Sequence, residues 1–315
     1  METENYNSII KEEWRELIAP LITLIVSIIL IVFFLGGRSN NTPTVDVEIT
    51  TEPESIVFDN IELEAKSVIV WDINNQKELF SVNPESQLTL ASLTKVMMAV
   101  AALEKGPKGV IVTIKEEDLR KEGDSGLLIG ERWTLEDLIN FSLVISSNDG
   151  AEAIASAIGS QISREDPVAE FVNLMNQVAK NIGLRQTYFI NPNGLDKDDI
   201  IPGGSGSLRD MVMLFEYTLK KYPEIFEATS HSSLSIDSLD FSHEISNTNA
   251  TLLDKLPGLI ASKTGFTDLA GGNLIVIFEP EPTRPIILGV LGSSVEGRFS
   301  DIEKLYLTTL DYINK

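Results

Sequence analysis

With 315 residues the chain is long enough to build its own hydrophobic core, and its lack of cysteine excludes disulfides, cysteine metal sites and a thiol nucleophile. Its two histidines, His231 and His243, leave a zinc site short of ligands, and neither lies in a recognisable Ser-His-Asp motif. The 25 basic and 47 acidic residues give a formal net charge of −22, which repels nucleic acid and excludes nucleic-acid binding as the main function.

An uninterrupted apolar segment near the N-terminus predicts a transmembrane anchor over residues 17–36. Nineteen consecutive residues of this segment carry no charge, and as a helix they would cover about 28 Å, close to the thickness of the membrane hydrocarbon. A cleaved signal peptide would have a shorter apolar region and a small-residue cleavage pattern. Two basic residues before the span and one after it favour a cytoplasmic N-terminus. We therefore expect a single-pass cell-membrane protein with a cytoplasmic tail over residues 1–16.

The polar, acidic and proline-containing stretch 37–58 predicts a linker, with an extra edge strand at residues 45–50 as the alternative. The folded domain is then expected over residues 59–315, outside the cytoplasm. It opens with two β-rich segments, 65–71 and 77–82, which suit a hairpin.

Helical patterns fill the middle of the chain, and strands return near its end. The predicted helices span residues 94–104, 134–141, 151–158, 167–182, 207–222 and 298–313. Two apolar segments, 272–279 and 285–292, predict further strands. The first and last strands should therefore share one sheet. We predict an α/β fold in which an antiparallel sheet is flanked by helices and carries a large all-α insertion.

The first feature that carries chemistry is a serine followed three residues later by a lysine, at the start of an apolar helix. Ser92 and Lys95 would lie on one helix face, one turn apart. A serine hydroxyl needs a neighbouring base, and a lysine can serve when burial and nearby positive charge lower its pKa. An N-cap serine and a solvated lysine are the alternative. Ser8 and Lys11 match the same spacing, but they lie on the far side of the predicted anchor.

Two further motifs follow Ser92 in the chain. Ser146-Ser-Asn148 has the spacing S-x-N, and Lys263-Thr-Gly265 occurs once. S-x-N is a weak signal, since two other matches precede Ser92, and Ser147 is the alternative serine within this one. Each motif alone could be a helix cap or a turn. We interpret their occurrence in this order as a single catalytic constellation.

In this order the three motifs resemble those of the penicillin-recognising serine enzymes, which comprise D,D-peptidases and serine β-lactamases. The resemblance implies that the motifs meet in one cleft. Ser92 would be the nucleophile, and Lys95 would take its proton. Ser146 would act as a proton relay between Lys95 and the leaving amine.

The same resemblance implies how the substrate is held. Asn148 would bind the substrate amide, and Lys263 with Thr264 would bind its terminal carboxylate. Arg298 would help to hold that carboxylate, with a surface position at a helix start as the alternative.

The resemblance also implies an oxyanion hole at the Lys263-Thr-Gly strand. Gly265 would let this edge strand approach the ligand closely. The backbone N–H groups of Ser92 and Phe266 would bind the oxyanion. Phe266 stands where a polar residue is common in the family, which bears on substrate preference.

Beyond the motifs, over about residues 61–313, the chain resembles the D-alanyl-D-alanine carboxypeptidases, or low-molecular-mass penicillin-binding proteins. The segments that carry this resemblance are Val70–Asp72, Gly130–Leu138, Phe171–Asn176, Asn191–Gly194 and Ser246–Asn249. It implies a cell-wall hydrolase that trims D-alanine from peptidoglycan stem peptides through an acyl-serine intermediate. No cofactor and no metal are expected. β-Lactam antibiotics are the expected covalent inhibitors.

Several alternatives remain open at this point. A D,D-endopeptidase would cut cross-links by the same chemistry, and an inactive module would only bind cell-wall peptides. A serine β-lactamase would need a glutamate in an E-x-x-L-N loop, and Glu170-Phe-Val-Asn173 is a loose match within a predicted helix. The chain ends at Lys315, so we expect the family's usual C-terminal β-rich domain and amphipathic anchor to be missing. The N-terminal span would then provide the anchor.

Overall fold

The computed structural model describes residues 57–58 and 61–315. The predicted tail, the anchor over residues 17–36 and nearly all of the linker lie outside these residues. Within the described part, no helix combines the length and the apolarity that crossing a membrane requires.

The strands, in chain order, are β1 (Ser67–Asp72), β2 (Lys77–Val82), β3 (Leu88–Thr89), β4 (Ile111–Thr113), β5 (Arg132–Thr134), β6 (Tyr188–Phe189), β7 (Gly204–Gly206), β8 (Ser233–Asp237), β9 (Ser242–Ser246), β10 (Leu259–Thr267), β11 (Gly271–Phe278) and β12 (Ile286–Ser293). The helices are α1 (Thr94–Lys105), α2 (Leu135–Val144), α3 (Asn148–Gly159), α4 (Pro167–Ile182), α5 (Leu208–Lys221), α6 (Glu224–Glu227), α7 (Ala250–Leu253) and α8 (Gly297–Ile313).

The central sheet contains five antiparallel strands in the order β10-β11-β12-β1-β2. Strand β1 pairs with β12, with Ser67 opposite Leu291 and Asp72 opposite Ile286. The first and last predicted strands therefore share one sheet, as their order in the chain predicted. Strand β10 forms one edge of this sheet and carries the Lys263-Thr-Gly motif.

Alternate residues of the central strands face two separate cores. In β11, Leu274 and Val276 pack in one core with Ile302 of α8, whereas Ile275 and Ile277 belong to the larger core on the helical side. Side chains alternate between the two faces of a strand. A strand covered on both faces therefore appears in the sequence as a continuous apolar run, as β11 does.

Capping side chains set several of the helix starts. Thr134 accepts a hydrogen bond from the backbone N–H of Asp137 at the start of α2, and Ser207 caps α5 in the same way. Asp166 caps α4 directly before Pro167, where a missing N–H costs little. The predicted bounds of α4 are those of the structure.

The inserted region between β2 and β10 is mainly helical, but the prediction that it is all-α is wrong in detail. It also contains two small two-stranded sheets, β4-β5 and β8-β9, and the short sheet β3-β7-β6. These strands have two to five residues each, which is too short for an alternating pattern to stand out in the sequence. The β8-β9 hairpin matters for the site because it leads into the turn that contacts β10.

Candidate active site

Ser92 and Lys95 meet where the chain enters α1. Ser92 lies in a short 3₁₀ turn, Ala91–Leu93, and the α-helix begins at Thr94, as predicted. The Nζ atom of Lys95 lies 2.8 Å from Oγ of Ser92. Lys95 is fully buried. The structure therefore excludes the alternative of a solvated helix charge and places an amine against the serine hydroxyl.

Two further oxygen atoms surround the amine of Lys95. The side-chain Oδ1 of Asn148 lies 2.8 Å from Nζ, and the backbone carbonyl oxygen of Asn193 lies 2.7 Å away. Both oxygens can only accept hydrogen bonds, whereas the hydroxyl of Ser92 can also donate. A neutral amine has two hydrogens, which these two acceptors would take. Its lone pair would then face Ser92.

The environment of Lys95 favours this neutral form. Burial lowers the pKa of Lys95 well below its ordinary value of 10.5, and the nearby positive charge of Lys263 lowers it further. A lowered pKa makes the unprotonated amine more accessible, and an unprotonated amine can take a proton from a hydroxyl group. The site therefore places a serine hydroxyl beside a buried amine whose lowered pKa suits it to accept a proton.

Neither histidine competes with Lys95 for this role. His243 lies 2.6 Å from the carboxylate of Glu131 and packs against the rings of Trp133 and Phe141. His231 is exposed at the end of a short 3₁₀ turn. Neither residue is positioned against Ser92, so the described residues offer lysine as the base.

Ser146 has a different partner from the one expected. Its hydroxyl accepts a hydrogen bond from Lys263 Nζ, at 2.9 Å, and it is Asn148 that contacts Lys95. Ser146 lies in the left-handed backbone region, with φ of 61°. A residue other than glycine pays a strain cost there, and such strain tends to occur at functional sites.

The neighbouring serine is occupied as a helix cap. Ser147 accepts a hydrogen bond from the backbone N–H of Gly150 and donates one to Ser125. Helix α3 consequently begins at Asn148, three residues earlier than predicted. Of the two candidate serines, Ser146 is the one that contacts the site.

Strand β10 provides the opposite wall. Lys263 is buried and donates a second hydrogen bond to the carbonyl oxygen of Thr264, and the Thr264 hydroxyl lies 2.5 Å from that of Thr248. Burial lowers the pKa of Lys263 to about 7, with a contribution from the positive charge of Arg298. Two cationic groups therefore lie close together on this side of the site.

Arg298 is at the start of α8 but is not a surface residue. It is 8% exposed, and its Nη1 donates a hydrogen bond to the backbone carbonyl oxygen of Gly265. Its Nε is buried and has no partner among the described residues. A buried guanidinium with a spare donor suits an anion.

Gly265 brings the strand directly against the turn that carries Ser92. A Cβ atom at this position would lie 2.9 Å from the carbonyl oxygen of Leu90 and 3.3 Å from the backbone nitrogen of Ser92. Only glycine allows so close an approach. The next residue, Phe266, is about half exposed, with 48% of its surface accessible.

Two residues that the motifs did not identify also build the site. Asn193 supplies the carbonyl oxygen that contacts Lys95. Asn273 of β11 is fully buried and donates to the carbonyl oxygens of Thr89 and Leu90, which fixes the segment leading to Ser92. The sequence signal for Asn193 was its place in Asn191–Gly194, whereas Asn273 gave none.

A cavity of about 320 Å³ adjoins Ser146 and Asn148, between the loop at residues 123–125 and strand β9. Most of its lining residues are polar. In the described residues, no group of three or more acidic or histidine side chains could hold a metal ion. A buried amine beside a serine hydroxyl is an arrangement suited to acyl transfer.

Comparisons with known proteins agree with this chemistry. Residues 50–294 match the peptidase S11 family model, described as D-alanyl-D-alanine carboxypeptidase. The D-alanyl-D-alanine carboxypeptidase DacF of Bacillus subtilis is 30% identical over 77% of this chain and 61% of that protein. The D-alanyl-D-alanine endopeptidase of Haemophilus influenzae is 31% identical over 68% of this chain and 70% of that protein.

Among solved structures, penicillin-binding protein D2 from Listeria monocytogenes, in an ampicillin-bound form, is 28% identical with a TM-score of 0.68. The match covers 79% of this chain and 98% of that one. The chain spans 61% of the length of DacF, and the same share of the DacA carboxypeptidase of Haemophilus influenzae.

Proposed function

This chain belongs to the D-alanyl-D-alanine carboxypeptidase family, and on that premise we propose that it removes the terminal D-alanine from peptidoglycan stem peptides through an acyl-Ser92 intermediate. The observation that carries the proposal is the contact between Lys95 and Ser92, at 2.8 Å, with Lys95 buried and its pKa lowered. This contact gives the serine the base that it needs.

In the first half-reaction, neutral Lys95 accepts the hydroxyl proton of Ser92 while Oγ bonds to the carbonyl carbon of the penultimate D-alanine. The C–N bond then breaks, and the amine of the terminal D-alanine takes a proton as it leaves. Ser146 is our candidate for delivering that proton, because its hydroxyl borders the cavity and contacts Lys263. Lys263 replaces the proton that Ser146 gives up. Water then adds its hydroxyl group to the acyl carbon and returns a proton through Ser146 to Lys263, while Lys95 returns its proton to Oγ of Ser92 as the ester bond breaks.

The carboxylate of the terminal D-alanine distinguishes this substrate from a generic peptide. We assign its binding to Lys263, Thr264 and Arg298, whose positive charges and hydroxyl group lie along β10. A buried cation gains much from a carboxylate partner, since it is otherwise left without a counter-charge. The assignment explains why two cations lie side by side in a chain of strongly acidic composition.

A second function, cleavage of peptide cross-links by a D,D-endopeptidase, has one observation in its favour. The endopeptidase of Haemophilus influenzae is as similar to this chain as the carboxypeptidases are. The two reactions use the same acyl-enzyme chemistry. A serine β-lactamase has less support, because Glu170 lies inside helix α4.

We also propose that residues 17–36 anchor the protein in the cell membrane and leave the catalytic domain outside the cytoplasm. The support is the uncharged apolar sequence of this segment. Deletion of residues 1–36 should move the protein from the membrane fraction to the supernatant. Retention in the membrane fraction would contradict the proposal.

The proposed activity can be tested with a synthetic pentapeptide that ends in D-alanyl-D-alanine, and with a cross-linked muropeptide dimer. Wild-type protein should release D-alanine from the pentapeptide, whereas Ser92→Ala should release none. Faster cleavage of the dimer would assign the endopeptidase function instead. Failure to cleave either substrate would contradict the proposal.

A further inference from the structure

Each of the two oxygen atoms that contact the amine of Lys95 belongs to an asparagine. The side-chain amide of each asparagine donates a further hydrogen bond that helps to fix its position. Asn148 donates from Nδ2 to the carbonyl oxygen of Glu122, at 2.7 Å. Asn193 donates from Nδ2 to Oε2 of Glu152, at 3.3 Å. The position of each acceptor therefore depends on a second residue that does not touch Lys95.

Glu152 connects both of these supports. It lies four residues after Asn148 on α3, so the two side chains share one face of the helix. Its Oε1 is 3.1 Å from the ammonium of Lys121, the residue before Glu122. One oxygen of the Glu152 carboxylate thus contacts Asn193. The other oxygen contacts Lys121, which directly precedes Glu122 in the chain.

Glu152 and Asn193 are both buried, so the hydrogen bond between them cannot easily be replaced by water. Glu152 is 7% exposed and Asn193 is 2% exposed. Loss of the carboxylate would leave the amide of Asn193 buried without its acceptor, which costs free energy and favours rotation of the side chain. The backbone of Asn193 would then hold its carbonyl oxygen less firmly against Lys95.

We propose that Glu152 is a positioning residue for the general base, which holds the two oxygen acceptors of Lys95 so that the lone pair of the amine faces Ser92. The inference rests on the proposed function, in which Lys95 activates Ser92. Glu152 makes no contact with the residues assigned to carboxylate binding. Its loss should therefore slow the acylation step and leave the binding of the ligand unchanged.

The test uses the full chain and a fluorescent penicillin, with the acylation rate measured over a range of probe concentrations. Glu152→Ala should lower the maximal rate constant by about tenfold or more, because misplaced catalytic groups lose rate steeply. The probe concentration that gives half of the maximal rate should stay within about twofold of the wild-type value, since the binding contacts are intact. Glu152→Gln should recover part of the rate, because its amide oxygen can still accept from Asn193.

Glu303→Ala is the matched control, because Glu303 forms a Lys–Glu pair with Lys255 on the surface. It should react like the wild type. If Glu152→Ala does not fold, Glu152→Gln and Lys121→Met are measured in its place. Each should be acylated more slowly than the Glu303→Ala control. Wild-type rates in the Glu152 variants would overturn the inference while the proposed function stands. A wild-type protein that takes up no probe would overturn both.

Discussion

The Nζ atom of Lys263 lies 2.9 Å from Oγ of Ser146, across the site from Lys95. The two side chains come from distant parts of the chain, the edge strand β10 and the turn before α3. Lys263 consequently has two tasks in the proposed reaction, which are to bind the substrate carboxylate and to hold the hydroxyl that protonates the leaving group. Its own protonation state should therefore control activity.

We expect a bell-shaped dependence of kcat/KM on pH with the pentapeptide. Below the lowered pKa of Lys95 the base is protonated, so the rate falls as the pH falls. Above about pH 7 Lys263 loses its charge in the free enzyme, so capture of the carboxylate weakens. A bound carboxylate favours the charged lysine, and the alkaline limb of kcat should lie at higher pH than that of kcat/KM.

Lys263→Arg is the control for the alkaline limb, because an arginine keeps its charge over this range. Its alkaline limb should disappear even if its overall rate is lower. A wild-type kcat/KM that stays constant from neutral pH to strongly alkaline pH would contradict the assignment to Lys263.

The buried Lys263 should also make stability depend on pH. Its pKa is about 7 in the folded protein and 10.5 ordinarily, so between these values the unfolded chain holds one more proton. The free energy of unfolding therefore rises with pH across this window, by at most about 1.4 kcal/mol per pH unit from this group. Lys263→Met should be the more stable protein at pH 7, and its advantage should shrink toward pH 10. Urea unfolding at several pH values measures the free energy of unfolding of the wild type and of Lys263→Met. A difference between the two proteins that does not change with pH would contradict the prediction.

Gly265→Ala should slow acylation, and the loss of rate should be larger than in the control variant Gly109→Ala. The added methyl group would press on the carbonyl of Leu90 and the backbone nitrogen of Ser92. Displacement of the nucleophile by a few tenths of an ångström should cost about tenfold or more in rate. Gly109→Ala is the control, since its Cβ would meet no atom within 4 Å and only the left-handed backbone, at φ of 70°, is strained. Equal losses of rate in the two variants would argue against close approach at Gly265.

Asn273→Ala should reduce both stability and acylation. The substitution removes the donor to Thr89 and Leu90 and the acceptor for the N–H of Gly292, all near the segment that leads to Ser92. Backbone groups left without partners should lower the free energy of unfolding by about 2–4 kcal/mol. Asn176→Ala is the control, since it removes two hydrogen bonds between α4 and Phe189 of β6 and one to Val172 within α4. Asn176→Ala should lose stability but acylate faster than Asn273→Ala. If Asn176→Ala acylates more slowly than Asn273→Ala, the role of Asn273 in fixing the segment before Ser92 is contradicted.

The sequence predicts those parts of the site that depend on local spacing. Ser92 and Lys95 are three residues apart, and a helical turn alone brings them to one side. The helix α4 shows its cap, its Pro167 start and its apolar period in one stretch of sequence. The strands at both ends of the domain are apolar enough to be recognised, and their order in the chain indicated a shared sheet.

The remaining contacts depend on tertiary structure. The carbonyl of Asn193 reaches Lys95 across 98 residues of chain, and every residue has a carbonyl, so no residue type marks it. Ser146 has a left-handed backbone and its hydroxyl contacts Lys263, whereas the family resemblance had implied a contact with Lys95. Glu152 would be read from the sequence as an ordinary helical glutamate. Its partners become visible only when α3 packs beside the loop at residues 191–194.

Mass spectrometry of the protein after brief exposure to benzylpenicillin tests most directly whether Ser92, activated by Lys95, is the nucleophile. Wild-type protein should gain the mass of one penicillin, located by peptide mapping to the segment that contains Ser92. Lys95→Met should gain it far more slowly, because the hydroxyl has lost its base, and Ser92→Ala should not gain it at all. An adduct on another serine, or an adduct that persists in Ser92→Ala, would contradict the assignment.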